Sequence, residues 1–173
     1  MRVVRTGKRS GAHAVECAII FPIVLFFIVS IIVGGMGIFR YQQVCYLARE
    51  GARYAVVHAG QYQQENAAAI QSGALPNVDD NYLLTNVIMP NASNLDPSSL
   101  TVGINFNLSS GSYDWDDTAN NNNRWPNAPK TVNGTTYNET NTVSVTVTYT
   151  WFPELYLFGP ITLTSTSVMP VCY

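Results

Sequence analysis

Cys17–Phe39 reads CAIIFPIVLFFIVSIIVGGMGIF, 23 residues without a charge between Glu16 and Arg40. A helix rises about 1.5 Å per residue, so this run reaches about 35 Å and exceeds a bilayer hydrocarbon core of about 30 Å. It reads as a membrane-spanning helix, segment 17–39. Arg2, Arg5, Lys8 and Arg9 precede it with no acid before Glu16, whereas Arg40, Arg49 and Arg53 on the far side are mixed with Glu50. Positive charge gathers on cytoplasmic flanks, so the N-terminus is expected inside and the chain beyond about residue 40 outside. The apolar stretch of a cleaved secretory signal usually runs about 7 to 15 residues to a small-residue cleavage site; this one is longer and passes into a helical pattern.

Working outward, Tyr41–Ala59 (YQQVCYLAREGARYAVVHA) places Val44, Leu47 or Ala48, Gly51, Ala55 and His58 at three- and four-residue steps. That spacing is one helical stripe made largely of small residues. One long helix over 12–72 is therefore expected, stopped by Ser72, Gly73 and Pro76. Residues 73–173 change character. Turn formers such as PNVDDN, MPNASNLDP and DDTANNNNRWPNAP separate short segments in which apolar residues alternate with Thr, Ser and Asn. Leu100, Val102, Ile104, Phe106 and Leu108 share one face, as do Val143, Val145, Val147, Tyr149 and Trp151, the period of antiparallel strands with one buried side. Ile161–Val171 is a third strand, with FPELYLFGP (Phe152–Pro160) as a hairpin link and Pro170 expected at an edge or strand end, because it cannot donate to a ladder. The expected fold class is α+β, a long N-terminal membrane helix followed by a β-rich antiparallel-sheet head.

Composition narrows the function. Of 173 residues only 12% are charged, about half the usual fraction, with 9 Lys and Arg against 11 Asp and Glu. The length suits one folded domain plus one special segment. No Lys/Arg cluster stands beyond residue 10, so no nucleic-acid partner is expected. Three cysteines are too few for a disulfide-dense scaffold. Only His13 and His58 are available for histidine chemistry, and GGMG at Gly34–Gly37 lies inside the apolar run, so it is not a phosphate loop. Asp114, Asp116 and Asp117 begin with calcium-loop spacing, but Ala119 stands where that loop needs Gly and Trp125 where it needs Glu. No enzyme activity, cofactor or metal is expected.

Glu16 needs an explanation, because a carboxylate at the start of an apolar span is costly and commonly functional. It follows a basic segment, Ser10, Gly11 and four residues AHAV. A cut after Gly11 would free an amine at Ala12, put Glu16 fifth in the mature chain and leave five positive residues against eleven acids. This arrangement resembles the type IV pilin superfamily. RSGAHAVECAIIFPIVL, AREGARYA (Ala48–Ala55), VSVTVTYTW and ITLTSTSVM together resemble the TadE-like pseudopilins of tight-adherence pili. Cys17 stands where an aromatic residue usually follows the glutamate.

The resemblance implies a leader peptide at 1–11, a processing site at Gly11 and Ala12 cut by a prepilin peptidase, and an assembly role for Glu16. It implies a minor pilin or pseudopilin of the bacterial inner membrane whose partners are other pilin subunits, the pilus assembly machinery and the membrane. The alternative is an uncleaved single-pass anchor carrying an extracytoplasmic binding domain. Independently of the resemblance, a buried Glu is stabilised by a neighbouring amine. Pro22 interrupts the helical ladder, and Gly34, Gly35, Gly37 and Gly51 permit close helix packing. Cys45 and Cys172 both fall on the oxidising side of this topology and form a candidate disulfide. Two separate thiols are the open alternative.

Overall fold

The computed structural model describes residues 10–108, 111–116, 127–153 and 159–171. The chain divides into two compact units, residues 1–38 and 39–173, and helix α1 (Ser10–Val57) takes part in both. In the first unit its apolar side chains surround the helix instead of forming one stripe. Ile19, Phe21, Phe27 and Ile31 are each more than 60% exposed, far beyond what the surface of a water-soluble domain carries. By length and composition α1 is able to cross a membrane. Pro22 lies within it and leaves the Ala18 carbonyl without its backbone donor.

The expected helix over 12–72 ends at Val57 and is followed by two short helices, α2 (Gly60–Glu65) and α3 (Ala67–Gln71). The breaks have local causes. His58 Nδ1 lies 2.8 Å from the Tyr54 carbonyl oxygen, which already accepts the His58 N–H at 3.2 Å, and Gly60 follows with poor helix propensity. At Asn66 the side-chain Nδ2 donates to the Tyr62 carbonyl, the competition with the backbone that makes Asn a helix interrupter. The helical region does stop at Ser72 and Gly73, where Gly73 takes φ +76 and closes the end of α3.

The head contains a helical segment where the turn formers PNVDDN and MPNASNLDP predict turns. Asp79 caps α4 (Asp80–Leu83), its side chain accepting from the Tyr82 N–H. A π turn over Leu84–Ile88 and a last turn, α5 (Met89–Asn91), continue it. Pro90 cannot donate to the Asn86 carbonyl, and the helix widens there.

Two strand systems follow. The four-stranded antiparallel sheet has the order β2 (Gly111–Asp114), β1 (Leu100–Leu108), β5 (Thr142–Trp151), β6 (Ile161–Pro170). β3 (Asn127–Val132) and β4 (Thr135–Thr140) form a separate hairpin. The alternation lands as the pattern requires except at Val102 and Leu108, which are only half-buried. Leu100, Ile104, Phe106, Val143, Val145, Val147, Tyr149 and Trp151 are buried on one face. β5 and β6 pair from Thr142↔Pro170 to Trp151↔Ile161, so Phe152–Pro160 does link a hairpin, with β6 at the edge and Pro170 at its end. The opposite face is hydroxyl-rich, with Thr146 and Thr166 Oγ1 atoms 2.9 Å apart.

Within this unit the small-residue stretch of α1 lies on the sheet. Val44, Leu47, Ala48, Ala52, Ala55 and Ala59 are completely buried, and Gly51 faces Val145 of β5, with Ile88 and Leu83 beside it. His58 leaves the expected stripe: it is half-buried and stacks on Tyr54 with ring centroids 3.9 Å apart. Arg40 and Gln43 fasten the helix to the 93–94 loop by donating to the Asn94 and Ser93 carbonyls at 3.2 and 2.9 Å.

Candidate functional site

Gly11 is exposed in the first turn of α1, the least stable turn of a helix because its N–H groups lack intrahelical acceptors. That turn contains no acid, and Lys8 and Arg9 precede it. Cations there oppose the helix dipole and Gly adds backbone freedom, so the Gly11–Ala12 bond sits where fraying costs least. A protease needs an extended backbone, which an end turn supplies more cheaply than the helix interior.

One turn on, Glu16 is exposed, and its Oε2 is 3.4 Å from His13 Nδ1, an i,i+3 pair with both side chains largely open. Such a pair is weakly held, which leaves the carboxylate exchangeable with another cation. The two residues share one helix face because three residues make most of a turn. Further along α1, nothing lies within 4 Å of where a Cβ would stand at Gly34 or Gly35. Gly37 is in the same helix. Cys17 is exposed and Cys45 half-buried; Cys172 lies outside the described residues, and so does Asp117.

Gly51 has a different setting. A Cβ there would stand 3.1 Å from Val145 Cγ1, 3.2 Å from Ile88 Cδ1 and 3.4 Å from Leu83 Cδ2. The AREGARYA string is thus a helix–sheet contact within the subunit, with Ala48, Gly51, Ala52 and Ala55 facing in. Its charges face out: Arg53 and Glu50 approach to only 3.9 Å at the surface.

The Asp-rich segment is anchored by Trp115, which no motif in the sequence marks. Trp115 is completely buried, stacks on Phe106 at 4.5 Å between centroids and donates Nε1–H to the Val78 carbonyl at 2.9 Å. This fixes Asp114 and Asp116 beside Asp80 of α4, with carboxylate oxygens of all three within 4.8 Å of one another. Asp80 also accepts the Ile104 N–H at 3.1 Å. Burial, then the charge of Asp116, push its carboxyl up to about 7, with Asp114 and Asp79 adding to the rise and the Ile104 bond opposing it. The three carboxylates together make a local concentration of acidic groups on the head. Asp80 could not be found by spacing, since it stands on a different element from the other two.

Residues 11–53 match the family model described as TadE-like protein. No curated protein and no solved structure matches the chain. The matched segment opens on Gly11, takes in Glu16 and the whole apolar run, and closes within AREGARYA at Arg53. Over this N-terminal segment, about a quarter of its length, the chain is similar to TadE-like proteins.

Proposed function

We propose that the chain is a minor pilin or pseudopilin of a tight-adherence pilus. It is inserted in the inner membrane with its N-terminus in the cytoplasm, cut by a prepilin peptidase between Gly11 and Ala12, and built through α1 into the filament or its initiating complex. The observation that carries this reading is the coincidence of the TadE-like match, starting at Gly11, with the start of the one described helix able to cross a membrane. In this role Glu16 is the register residue. The amine freed at Ala12 of one subunit is a cation at a helix N-terminus, which the helix dipole disfavours, and the loosely paired Glu16 of a neighbour relieves it. The role is structural and needs no catalytic group in the head.

Intact mass and N-terminal sequencing of the protein from its native host test the proposal. The expected mature chain begins at Ala12. A chain that still begins at Met1 overturns the pilin reading in favour of an uncleaved membrane anchor with an extracytoplasmic binding domain.

A further inference from the structure

The second unit holds a cleft of about 370 Å³ lined by α2, α3 and Asn77, within the range of cavities that bind small molecules. Its lining carries four primary carboxamides, Gln63, Gln64, Gln71 and Asn77, together with Gly60, Ala67 and Ile70. Among the described residues no ionisable side chain lines it. A neighbouring cleft of about 290 Å³ shares Asn77 and adds Asp79, Asn81, Thr85, Asn86 and Tyr82; the Asp79 carboxylate there is a further acceptor for a hydroxyl.

The chemistry of this lining selects its ligand. A carboxamide presents two donors and an acceptor with two lone pairs, the complement of adjacent hydroxyls, each of which donates and accepts. Without a cation the cleft offers no counter-charge to a phosphate or carboxylate, and its lining is more polar than apolar, which suits a polar ligand better than an acyl chain. Tyr82, half-buried beyond the shared Asn77, contributes an aromatic ring to the lining of that second cleft, the kind of surface on which the C–H side of a sugar ring rests. We propose that this cleft binds a neutral saccharide, one ring among the carboxamides of α2 and α3 and the next reaching toward Tyr82. The site lies wholly within residues 39–173 and does not depend on filament assembly.

The test uses the full chain in micelles of a sugar-free detergent and saturation-transfer NMR with three neutral disaccharides, lactose, cellobiose and N,N′-diacetylchitobiose, with triglycine as a neutral peptide. Transfer to the ring protons of at least one disaccharide is expected. The Gln64→Ala/Asn77→Ala double variant, which alters two exposed side chains, should keep its circular dichroism and bind at least about tenfold more weakly. The proposal is overturned by no transfer to any of the three sugars, by transfer to triglycine alone, or by undiminished transfer in the double variant. Because the assay uses isolated subunits, a negative result here leaves cleavage and assembly untouched.

Discussion

Replacing Gly51 probes the contact on which the head is built. A Cβ would sit 3.1 to 3.4 Å from three methyl carbons, those of Val145, Ile88 and Leu83, whereas carbon atoms prefer about 3.5 to 4.0 Å. Gly51→Ala therefore sets an overpacking cost of about 1–3 kcal/mol against about 1 kcal/mol of regained helix propensity. The net expectation is a loss of about 1 kcal/mol. Gly51→Leu has no volume for its further carbons without parting α1 from β5, and its loss should exceed about 3 kcal/mol. For a head of this size each kcal/mol moves the melting temperature by about 3–5 °C. Thermal unfolding of the full chain in micelles, followed by near-UV circular dichroism of the buried Trp115 and Trp151, should show a drop of a few degrees for Ala and more than about 10 °C for Leu. A Leu variant melting within 2 °C of the parent would mean that the helix does not rest on the sheet as described, and an Ala variant melting higher would mean that the three methyls give way freely.

Three other changes have defined outcomes. Glu16→Ala should insert normally, since the fifteen Ile, Val, Leu and Phe of the span at about −0.3 to −0.6 kcal/mol each favour insertion without it; it should be missing from sheared filaments, and normal incorporation would remove the pairing role. Asp80→Asn should alter the pH profile. A carboxyl raised from 3.8 to about 7 on folding contributes stability that is complete below about pH 4 and lost as pH rises through about 7. After allowance for its partial exposure the variant should gain about 1–2 kcal/mol at pH 8 and little at pH 4, read from urea midpoints; an equal gain at both would rule out the titration. Trp115→Phe keeps the ring stack on Phe106 but orphans the Val78 carbonyl, so a loss of about 1–3 kcal/mol is expected in the same assay, and an unchanged midpoint would contradict that bond.

What was legible in the sequence follows from how local each signal is. The span, the strand alternation in β1 and β5 and the terminal strand are periodic patterns carried by neighbouring residues, and they appear where the residues put them. The stop at Gly73 is likewise a local conformational demand. The helical segment at 80–91 was equally local, with Asp79 as cap and Leu83, Leu84, Val87 and Ile88 at helical spacing, but Pro90 and the surrounding Asn masked it as a turn. The Asn133-Gly134 turn between β3 and β4, with φ +51 and +79, was a readable hairpin signal as well. Different in kind are Asp80 beside Asp114 and Asp116, and Gly51 against Val145. These depend on tertiary packing, and no window of sequence contains both partners.

The separateness of the β3–β4 hairpin has a practical meaning. Its strands pair with each other from Asn127↔Thr140 to Val132↔Thr135 and supply no ladder to the four-stranded sheet. A two-stranded ribbon contributes little cooperativity of its own. The Asn133-Gly134 tip is therefore the natural place to graft an epitope or a fluorophore-accepting peptide, giving a label on the head that leaves both the N-terminal end of α1 and the helix–sheet core as they were.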